Sequence, residues 1–287
     1  MLEILAVPGA AIAIAAVLGL IVGSFLNVVI LRLPPRLMHA WKQQSRELLE
    51  IADNDEAPPP GLVWEPSHCP HCKHRLGAFE NIPLVSWLAL RGRCRHCRTP
   101  ISIQYPLVEF LTGAATAVVV WRFGADWHAV AGIALTWCLV ALAGIDVRTQ
   151  LLPDQLTLPL LWLGLILSLF PLFADARASI LGGAIGYLSL WSVYWLFKLA
   201  TGKEGMGYGD FKLLGALGAW MGPWSILPIV LLSSLVGAVI GGATLLARGQ
   251  DRATPIPFGP FLAAAGWIWF IAGGELTALY RTLFFVS

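Results

Sequence analysis

Two aspartates stand at the edges of otherwise apolar segments, Asp146 in LAGIDVRTQ and Asp210 in GMGYGDFKLL. Each touches the end of a predicted helix, so a fold that joins those ends would pair two carboxylates able to share one proton. Such a pair is what aspartyl-type hydrolysis requires. The glycines within Gly205–Gly209 are expected to let the backbone turn tightly and approach a substrate strand without interference from a Cβ atom.

Each of these carboxylates also has a structural interpretation. Asp210 precedes an apolar run, where an aspartate is an ordinary helix N-cap. Asp146 lies at the end of a helix, where its charge opposes the dipole, but it could cap the following segment or pair with Arg148. Asp154 is expected to be a turn or N-cap residue, and Glu109 is either a cap or a buried functional carboxylate.

The most specific local pattern is a pair of CxxC motifs, Cys69-Pro-His-Cys72 and Cys94-Arg-His-Cys97, separated by the 21 residues from Lys73 to Arg93. Four thiolates suit tetrahedral zinc, and a closed four-sulfur site leaves no position for a catalytic water, so the metal is predicted to be structural. Disulfides are the competing interpretation. Neighbouring histidines are alternative ligands or outer contacts: His68, His71, His74 and His96. Cys138, in an apolar helix, is predicted to be a buried hydrophobe.

Composition defines the class of protein. Hydrophobic residues make up 57% of the chain and charged residues 13%, with a mean hydropathy of +0.72, far from soluble averages. These values predict a multi-pass protein with the lipid bilayer as its surroundings. The net charge of +2 is too small to indicate a nucleic-acid partner.

The pattern of apolar runs predicts an all-α polytopic membrane protein with about eight transmembrane helices. The first run, 4–31, has no basic residue ahead of it and is expected to be a retained helix rather than a cleaved signal. Residues 32–105 form a polar insert that holds the cysteines, with a predicted amphipathic helix over Trp41–Asp55, and residues 106–287 form the remaining membrane domain. The other apolar runs lie at roughly 106–123, 128–145, 155–173, 178–199, 211–222, 226–247 and 258–280.

Basic residues predict the orientation of the chain. Sixteen of its nineteen Lys and Arg residues fall on the side of the insert, and only Arg122, Arg177 and Arg281 fall on the other. The positive-inside rule therefore places the insert in the cytoplasm, where reducing conditions favour zinc over disulfides. Asp146 and Asp210 both fall on this predicted cytoplasmic side.

An ordered set of motifs across nearly the whole chain resembles the bifunctional type IV prepilin leader peptidase and N-methyltransferase family, membrane aspartyl proteases with a Gly-x-Gly-Asp motif. The match is carried by Gly23–Val29, Arg32-Leu33-Pro34, the four cysteines, Asn81-Ile82-Pro83, Tyr105-Pro106 with Glu109, Asp146, Pro153-Asp154, Gly207–Lys212 and Pro257-Phe258-Gly259-Pro260.

The resemblance implies a substrate and two reactions. Type IV prepilins and type II secretion pseudopilins have a basic cytoplasmic leader, which the family removes after a glycine. The new N-terminal residue is then methylated with S-adenosylmethionine. Asp146 and Asp210 would be the catalytic pair. The zinc-stapled insert and first helix would hold the methyl donor, with Gly92 as a candidate contributor or simply a turn glycine. The bacterial inner membrane is the implied location.

Two functions of other classes compete with this expectation. In an ion-coupled transporter, the aspartates would bind a cation at broken helices and the zinc insert would be a regulatory cap. In a non-catalytic scaffold of a secretion machine, the zinc module would dock partners. Both carboxylates lie on one predicted face rather than at the bilayer midplane, which argues against transport.

Overall fold

The computed structural model describes residues 8–51, 57–248 and 256–285, so residues 4–7 of the first predicted run lie outside it. Across the described residues the chain is helical. Its α-helices are α1 Pro8–Leu48, α2 Val85–Ala89, α3 Gln104–Phe123, α4 Trp127–Thr149, α5 Asp154–Leu167, α6 Ala176–Thr201, α7 Tyr208–Met221, α8 Ile226–Arg248 and α9 Gly259–Phe285. Short 3₁₀ helices cover Ala78–Asn81 and Pro223–Ser225.

Every predicted apolar run contains a helix, but the helices differ in length. Within the described chain, α1, α3, α4, α6, α8 and α9 provide six candidate membrane spans by length and composition. Helices α5 and α7 have 14 residues each, about 21 Å, which is shorter than the roughly 30 Å hydrocarbon layer. The all-helical architecture is confirmed, with six helices rather than eight long enough to span.

Helix α1 continues far beyond Leu31, where the apolar run ends, and reaches Leu48 through Pro34 and Pro35. The predicted separate helix at Trp41–Asp55 is therefore wrong in its start, because its first eight residues belong to α1. Its last four positions, 52–55, lie outside the described residues. Each proline removes one backbone hydrogen bond without ending the helix. Side-chain contacts hold this stretch: Arg32 donates to the carbonyl oxygens of Gly61, Glu65 and Pro66, and Arg36 donates to that of Pro59.

The chain divides into two compact units, Met1–Ala141 and Leu142–Ser287. In the first unit, α1 packs closely on α3 through small residues. A Cβ atom on Gly23 would lie 2.7 Å from the Cα of Glu109. Close approach of backbones through small residues is typical of helix contacts in membranes, and here it brings α1 directly beside the Glu109 turn of α3.

The core of the second unit is α7. Its residues Phe211 and Leu213–Trp220 are buried, and its Gly218 meets Gly182 of α6 backbone to backbone. Trp220 donates its indole N–H to the carbonyl of Leu160 at 2.8 Å. Protein atoms thus surround this short helix and position its first turn, which carries Asp210.

Helix α8 shows the opposite pattern on one face. Leu227, Leu231 and Leu235 recur every four residues and are 67%, 60% and 65% exposed, which forms an apolar stripe along the helix. A row of exposed leucines of this kind is costly in water and favourable in lipid. The stripe supports assignment of α8 as a membrane span.

Candidate active site and metal centre

Asp146 lies in the last turn of α4 and is buried, with 5% of its surface exposed. Its Oδ2 atom accepts a hydrogen bond from the backbone N–H of Gly259 at 2.9 Å. Gly259 begins α9, so the carboxylate caps a helix 113 residues away in the sequence. The positive end of α9 offsets the unfavourable dipole of α4. Asp146 therefore does cap a helix, but that helix is α9 and not the segment that follows Asp146 in the sequence.

Asp210 occupies the third position of α7, because Gly207 is the N-cap and Tyr208 is the first helical residue. The interpretation of Asp210 as the N-cap is therefore wrong. The side chain is 7% exposed, and the N-terminal turn that carries it favours a negative charge. The carboxylate accepts from the backbone of Gly207, so it supports the start of its own helix from the third position, and its burial also makes it a candidate for chemistry.

Leu152 lies close to two glycines, Gly209, which precedes Asp210, and Gly259, which donates to Asp146. A Cβ atom on Gly209 would lie 2.6 Å from Leu152 Cβ, and one on Gly259 would lie 3.1 Å from Leu152 Cδ2 and 2.8 Å from Asp146 Oδ2. The structure thus brings both aspartates into one buried region of the second unit.

The glycines before Asp210 serve packing rather than unusual backbone geometry. Gly207 has φ of −82° and ψ of 148°, and the positive-φ glycines among the described residues, at 92, 124, 202 and 222, do not include 205, 207 or 209. Side chains other than glycine can adopt such extended angles. The expected tight turn is replaced by the close approach of Gly209 to Leu152.

A salt bridge lies beside the aspartate region. Lys212, two residues after Asp210, donates to both carboxylate oxygens of Asp154 at 2.6 and 2.8 Å. Asp154 is the first residue of α5, whose N-cap is Pro153. The pair joins the first turns of α5 and α7, so Asp154 has a tertiary role in addition to its place at a helix start.

The four cysteines of the two CxxC motifs converge in the first unit. Their sulfur atoms all lie within 4.8 Å of one another, and the Sγ atoms of Cys69 and Cys97 are 3.8 Å apart, those of Cys72 and Cys94 4.0 Å apart. Sulfurs on tetrahedral zinc at 2.3 Å are separated by about 3.8 Å, whereas a disulfide requires about 2.05 Å. The cysteines are free thiols, and their arrangement fits zinc.

Both CxxC motifs form the same turn. Cys69 N–H donates to the carbonyl of His74 and Cys94 N–H to that of Thr99, at 2.8 and 2.9 Å. The residue after each second cysteine, Lys73 or Arg98, has φ of 60°. The Thr99 hydroxyl lies 3.2 Å from Cys97 Sγ, and with the Thr99 backbone amide it lowers the pKa of that thiol to about 5. The thiolate is the metal-binding form.

The histidines near the cluster lie outside the four-cysteine group. His74 stacks on His96 with ring centroids 5.2 Å apart, and its Nε2 atom is 3.4 Å from Glu80 Oε2. The backbone N–H of Gly77 donates to the same carboxylate and lowers the pKa of Glu80. These contacts join the two cysteine turns around the cluster.

Gly92 has φ of 66°, and a Cβ atom there would lie 2.8 Å from the Trp87 ring. Its carbonyl accepts from the N–H of Ile101 at 2.7 Å. Both the left-handed backbone and the close tryptophan require glycine. A turn that leads into Cys94 is thus sufficient to explain this residue.

Glu109 is buried between α1 and α3, with 8% of its surface exposed. Its Oε2 atom accepts from the backbone N–H of Leu84 at 2.8 Å, and the Ser24 hydroxyl also hydrogen-bonds the carboxylate. Glu109 is the sixth residue of α3. It is therefore a buried carboxylate that joins helices to the insert, and the helix-cap alternative is wrong.

Three residues at these sites were not predicted from the sequence: Leu152, Leu84 and Gly259 as the donor to Asp146. The Gly259-Pro260 pair before an apolar run is a recognisable helix start, but its long-range acceptor has no local signal. Leu152 and Leu84 are ordinary apolar residues in the sequence, and only tertiary contacts distinguish them.

Helices that bury two carboxylates, together with a four-thiol cluster, define a multi-pass membrane protein of the aspartic peptidase class. Residues 17–123 match the bacterial peptidase A24 N-terminal domain, and residues 133–242 match the type IV leader peptidase family. The chain is 59% identical to the prepilin leader peptidase/N-methyltransferase of Xanthomonas campestris over 95% of both chains. It is 55% identical to that of Stutzerimonas stutzeri over 95% of this chain and 94% of the relative.

The protein of the same name from Pseudomonas aeruginosa is 54% identical over 92% of this chain and 91% of the relative. This chain therefore belongs to the type IV leader peptidase family, peptidase family A24. No solved structure matches it.

Proposed function

We propose that this protein removes the leader peptide from type IV prepilins and type II secretion pseudopilins and then methylates the new N-terminal amine. The observation that carries the peptidase half is the burial of Asp146 and Asp210 in one region, where Leu152 contacts the backbone on which each depends. Family membership and the names of the close relatives support both halves.

The proposed cleavage uses the two aspartates as a pair. One carboxylate is ionised and takes a proton from water as the water attacks the scissile carbonyl carbon, while the other is protonated and donates toward the carbonyl oxygen. Two interacting carboxylates titrate together, so the pair as a whole shares one proton. The N–H of Gly259 holds Asp146 in place during this exchange.

Location follows from the charge pattern and the helices. We place the insert and the aspartates at the cytoplasmic face of the bacterial inner membrane, since most basic residues lie on that side. The six candidate spans and the shorter α5 and α7 are all proposed to lie within the bilayer. A pair of aspartates at the cytoplasmic face is suited to cut a basic leader from an apolar helix that stays in the membrane.

Two further groups belong to the proposal. Cys69, Cys72, Cys94 and Cys97 would hold a structural zinc ion, which fixes the two turns of the insert. S-adenosylmethionine, when bound, supplies the methyl group on a sulfonium sulfur. We assign binding of S-adenosylmethionine to the insert and the adjoining α1. Gly92 is a weaker candidate contact, because its positive φ and its close approach to Trp87 already explain why this position is a glycine.

The test is mass spectrometry of a prepilin-like substrate incubated with the purified protein and S-adenosylmethionine. Wild type should remove the leader and add one methyl group. Asp146→Asn and Asp210→Asn should each lower the cleavage rate by at least about 100-fold, since each removes an acid or base. Both variants should still methylate a peptide that begins at the mature N-terminus, and should keep wild-type zinc content.

The same experiment separates the competing functions. Neither an ion-coupled transporter nor a non-catalytic scaffold predicts release of a leader that depends on both aspartates. An intact substrate with folded, zinc-loaded protein would overturn the peptidase proposal. Substantial residual cleavage by one variant would remove that aspartate from the pair.

A further inference from the structure

Glu109 is a buried acid whose charge is not balanced by a base. Among residues 8–51, 57–248 and 256–285, its known partners are the neutral Leu84 N–H and Ser24 hydroxyl, and no Lys, Arg or His lies within ion-pair distance of it. A buried charge in a membrane segment is costly unless it is paired. A carboxylate can accept about four hydrogen bonds, so acceptor capacity remains for a ligand.

An acceptor without a donor lies at the same helix interface. Asn27 is 2% exposed, and its Nδ2 donates to the carbonyls of Gly23 and Tyr105 at 3.3 and 3.1 Å. Those two carbonyls fix the amide orientation, so Oδ1 is the remaining atom, and it has no hydrogen-bond partner within the described chain. Gly23 lies one turn before Asn27 on α1, and Tyr105 one turn before Glu109 on α3.

The insert holds this interface with a strained residue. Leu84, which donates to Glu109, has φ of 60° and ψ of −49°, a region that L-amino acids with a side chain avoid. Strain of this kind persists where surrounding contacts impose it and is concentrated at functional sites. The hydrogen bond from Leu84 therefore aims an insert backbone group at the acid.

Glu109 has spare acceptor capacity and no paired cation, and Asn27 Oδ1 has no donor within the described chain, so together they suit a ligand with several N–H groups and a positive charge. We propose that Glu109, assisted by Asn27, binds the free α-ammonium group of the cleaved substrate and accepts its proton during methylation. This inference rests on the proposed methyltransferase activity.

The position of Glu109 along α3 matches the level at which the substrate amine is expected. It lies five residues into α3, about 8 Å from the end of the helix that adjoins the insert. A cleaved substrate has an apolar membrane helix that begins at its free amine, so that amine lies near the end of the bilayer core.

The chemistry balances without a further reactant. The amine nitrogen forms a bond to the methyl carbon as the carbon–sulfur bond breaks, and the bonding electron pair returns to sulfur as a neutral thioether. Before this attack, the ammonium gives one proton to the Glu109 carboxylate, which frees the nitrogen lone pair. The methylated nitrogen then carries the positive charge that the sulfonium loses. An α-amino group has a pKa near 7.7–8, so most of it is protonated at neutral pH and requires such a base.

The decisive variant is Glu109→Gln. The amide oxygen can still accept from Leu84 and Ser24, so a purely structural link should survive, whereas the base and the negative charge are lost. The matched control is Asp126→Asn, which also replaces a carboxylate that accepts a backbone N–H, from His128 at 2.9 Å, but lies outside the insert. Zinc content and circular dichroism show whether both variants fold.

The substrate for the test is a peptide that already begins at the mature N-terminal residue. Glu109→Gln should methylate it at least about 100-fold more slowly than wild type at pH 7, and the defect should shrink above about pH 9, where the amine is neutral without help. Leader cleavage should stay unchanged, and Asp126→Asn should resemble wild type in both reactions.

Binding without the methyl donor provides a second readout. Wild type should bind the free-amine peptide about tenfold more tightly than its N-acetylated form, and Glu109→Gln should lose that preference. Wild-type methylation rates at all pH values with the preference retained would overturn the inference. If wild type failed to methylate any peptide, the proposed function would fail, and the binding comparison would still decide whether Glu109 recognises the amine.

Discussion

The tetracysteine cluster and the aspartate region are built in different ways. Each cysteine turn closes through backbone hydrogen bonds that span five residues, and the sulfurs that meet are separated by at most 28 positions in the chain. Asp146 instead depends on Gly259, 113 positions away. The first site is local and organised by a metal, whereas the second exists only when several helices have packed.

This contrast predicts which changes each region tolerates. A local metal site should lose its structure with its ligands and leave distant helices intact. A site assembled by packing should respond to single methyl groups, because the atoms that define it are in direct contact with neighbouring backbones.

The largest structural effect is expected from replacing all four ligands, Cys69, Cys72, Cys94 and Cys97, with serine. Structural zinc contributes about 10–16 kcal/mol of apparent binding free energy to small zinc modules, so the insert should lose its zinc and unfold locally. S-adenosylmethionine binding should fall with it. Zinc analysis, limited proteolysis and ligand binding measure the three outcomes.

The control for this replacement is Cys138→Ser, which removes a cysteine outside the cluster. It should keep zinc and an intact insert. Undiminished affinity for S-adenosylmethionine in the four-serine variant would separate the methyl donor from the zinc module, and a protease-resistant insert would show that the cluster is not required for its folding.

A smaller but sharper effect is expected at the aspartate region. Gly209→Ala would place a Cβ atom 2.6 Å from Leu152, and Gly259→Ala one 2.8 Å from Asp146 Oδ2. Overpacking of this kind costs about 1–3 kcal/mol. Both variants should lower the rate of leader cleavage while leaving zinc bound, as cleavage assays and thermal unfolding can measure.

Gly242→Ala is the matched control, because a Cβ atom there has nothing within 4 Å. In the middle of a helix, this change should stabilise the protein by up to about 1 kcal/mol. If all three alanine variants cleaved equally well, the close contacts at Leu152 and Asp146 would not be needed for the site.

The smallest effect is expected from the salt bridge between Lys212 and Asp154, whose side chains are 27% and 51% exposed. Solvent screening limits such a pair to about 1 kcal/mol or less. Lys212→Met and Asp154→Asn should each slow cleavage by less than about tenfold, and the double variant should be no worse than either alone. A far larger loss for Lys212→Met would assign the lysine a direct role with the substrate.

Several features could be predicted from the sequence because their causes are local. The spacing of Cys69, Cys72, Cys94 and Cys97 allows two tight turns to present sulfurs to one metal. Long apolar runs require helices, since only helices satisfy every backbone group within one segment in lipid. Asp146 and Asp210 could be recognised as unusual because acidic residues are rare at the ends of such runs.

Other features depended on the tertiary structure. The first predicted run ended at Leu31, but contacts of Arg32 and Arg36 with the insert accompany a helix that continues to Leu48. The length of α5 was likewise overestimated, and α7 was counted as a transmembrane helix although it has only 14 residues. An apolar run records burial and does not distinguish burial in lipid from burial in protein.

The sequence by itself determined the class of protein, the cysteine cluster and the identity of the acidic residues. Only the tertiary structure decided that Gly259 caps Asp146, that Leu152 adjoins the backbone of both aspartate segments, and that Glu109 accepts from Leu84. The physical reason is the range of the interactions. Ligand spacing and hydropathy act within a few turns of chain, whereas helix packing joins residues whose separation leaves no periodic signal.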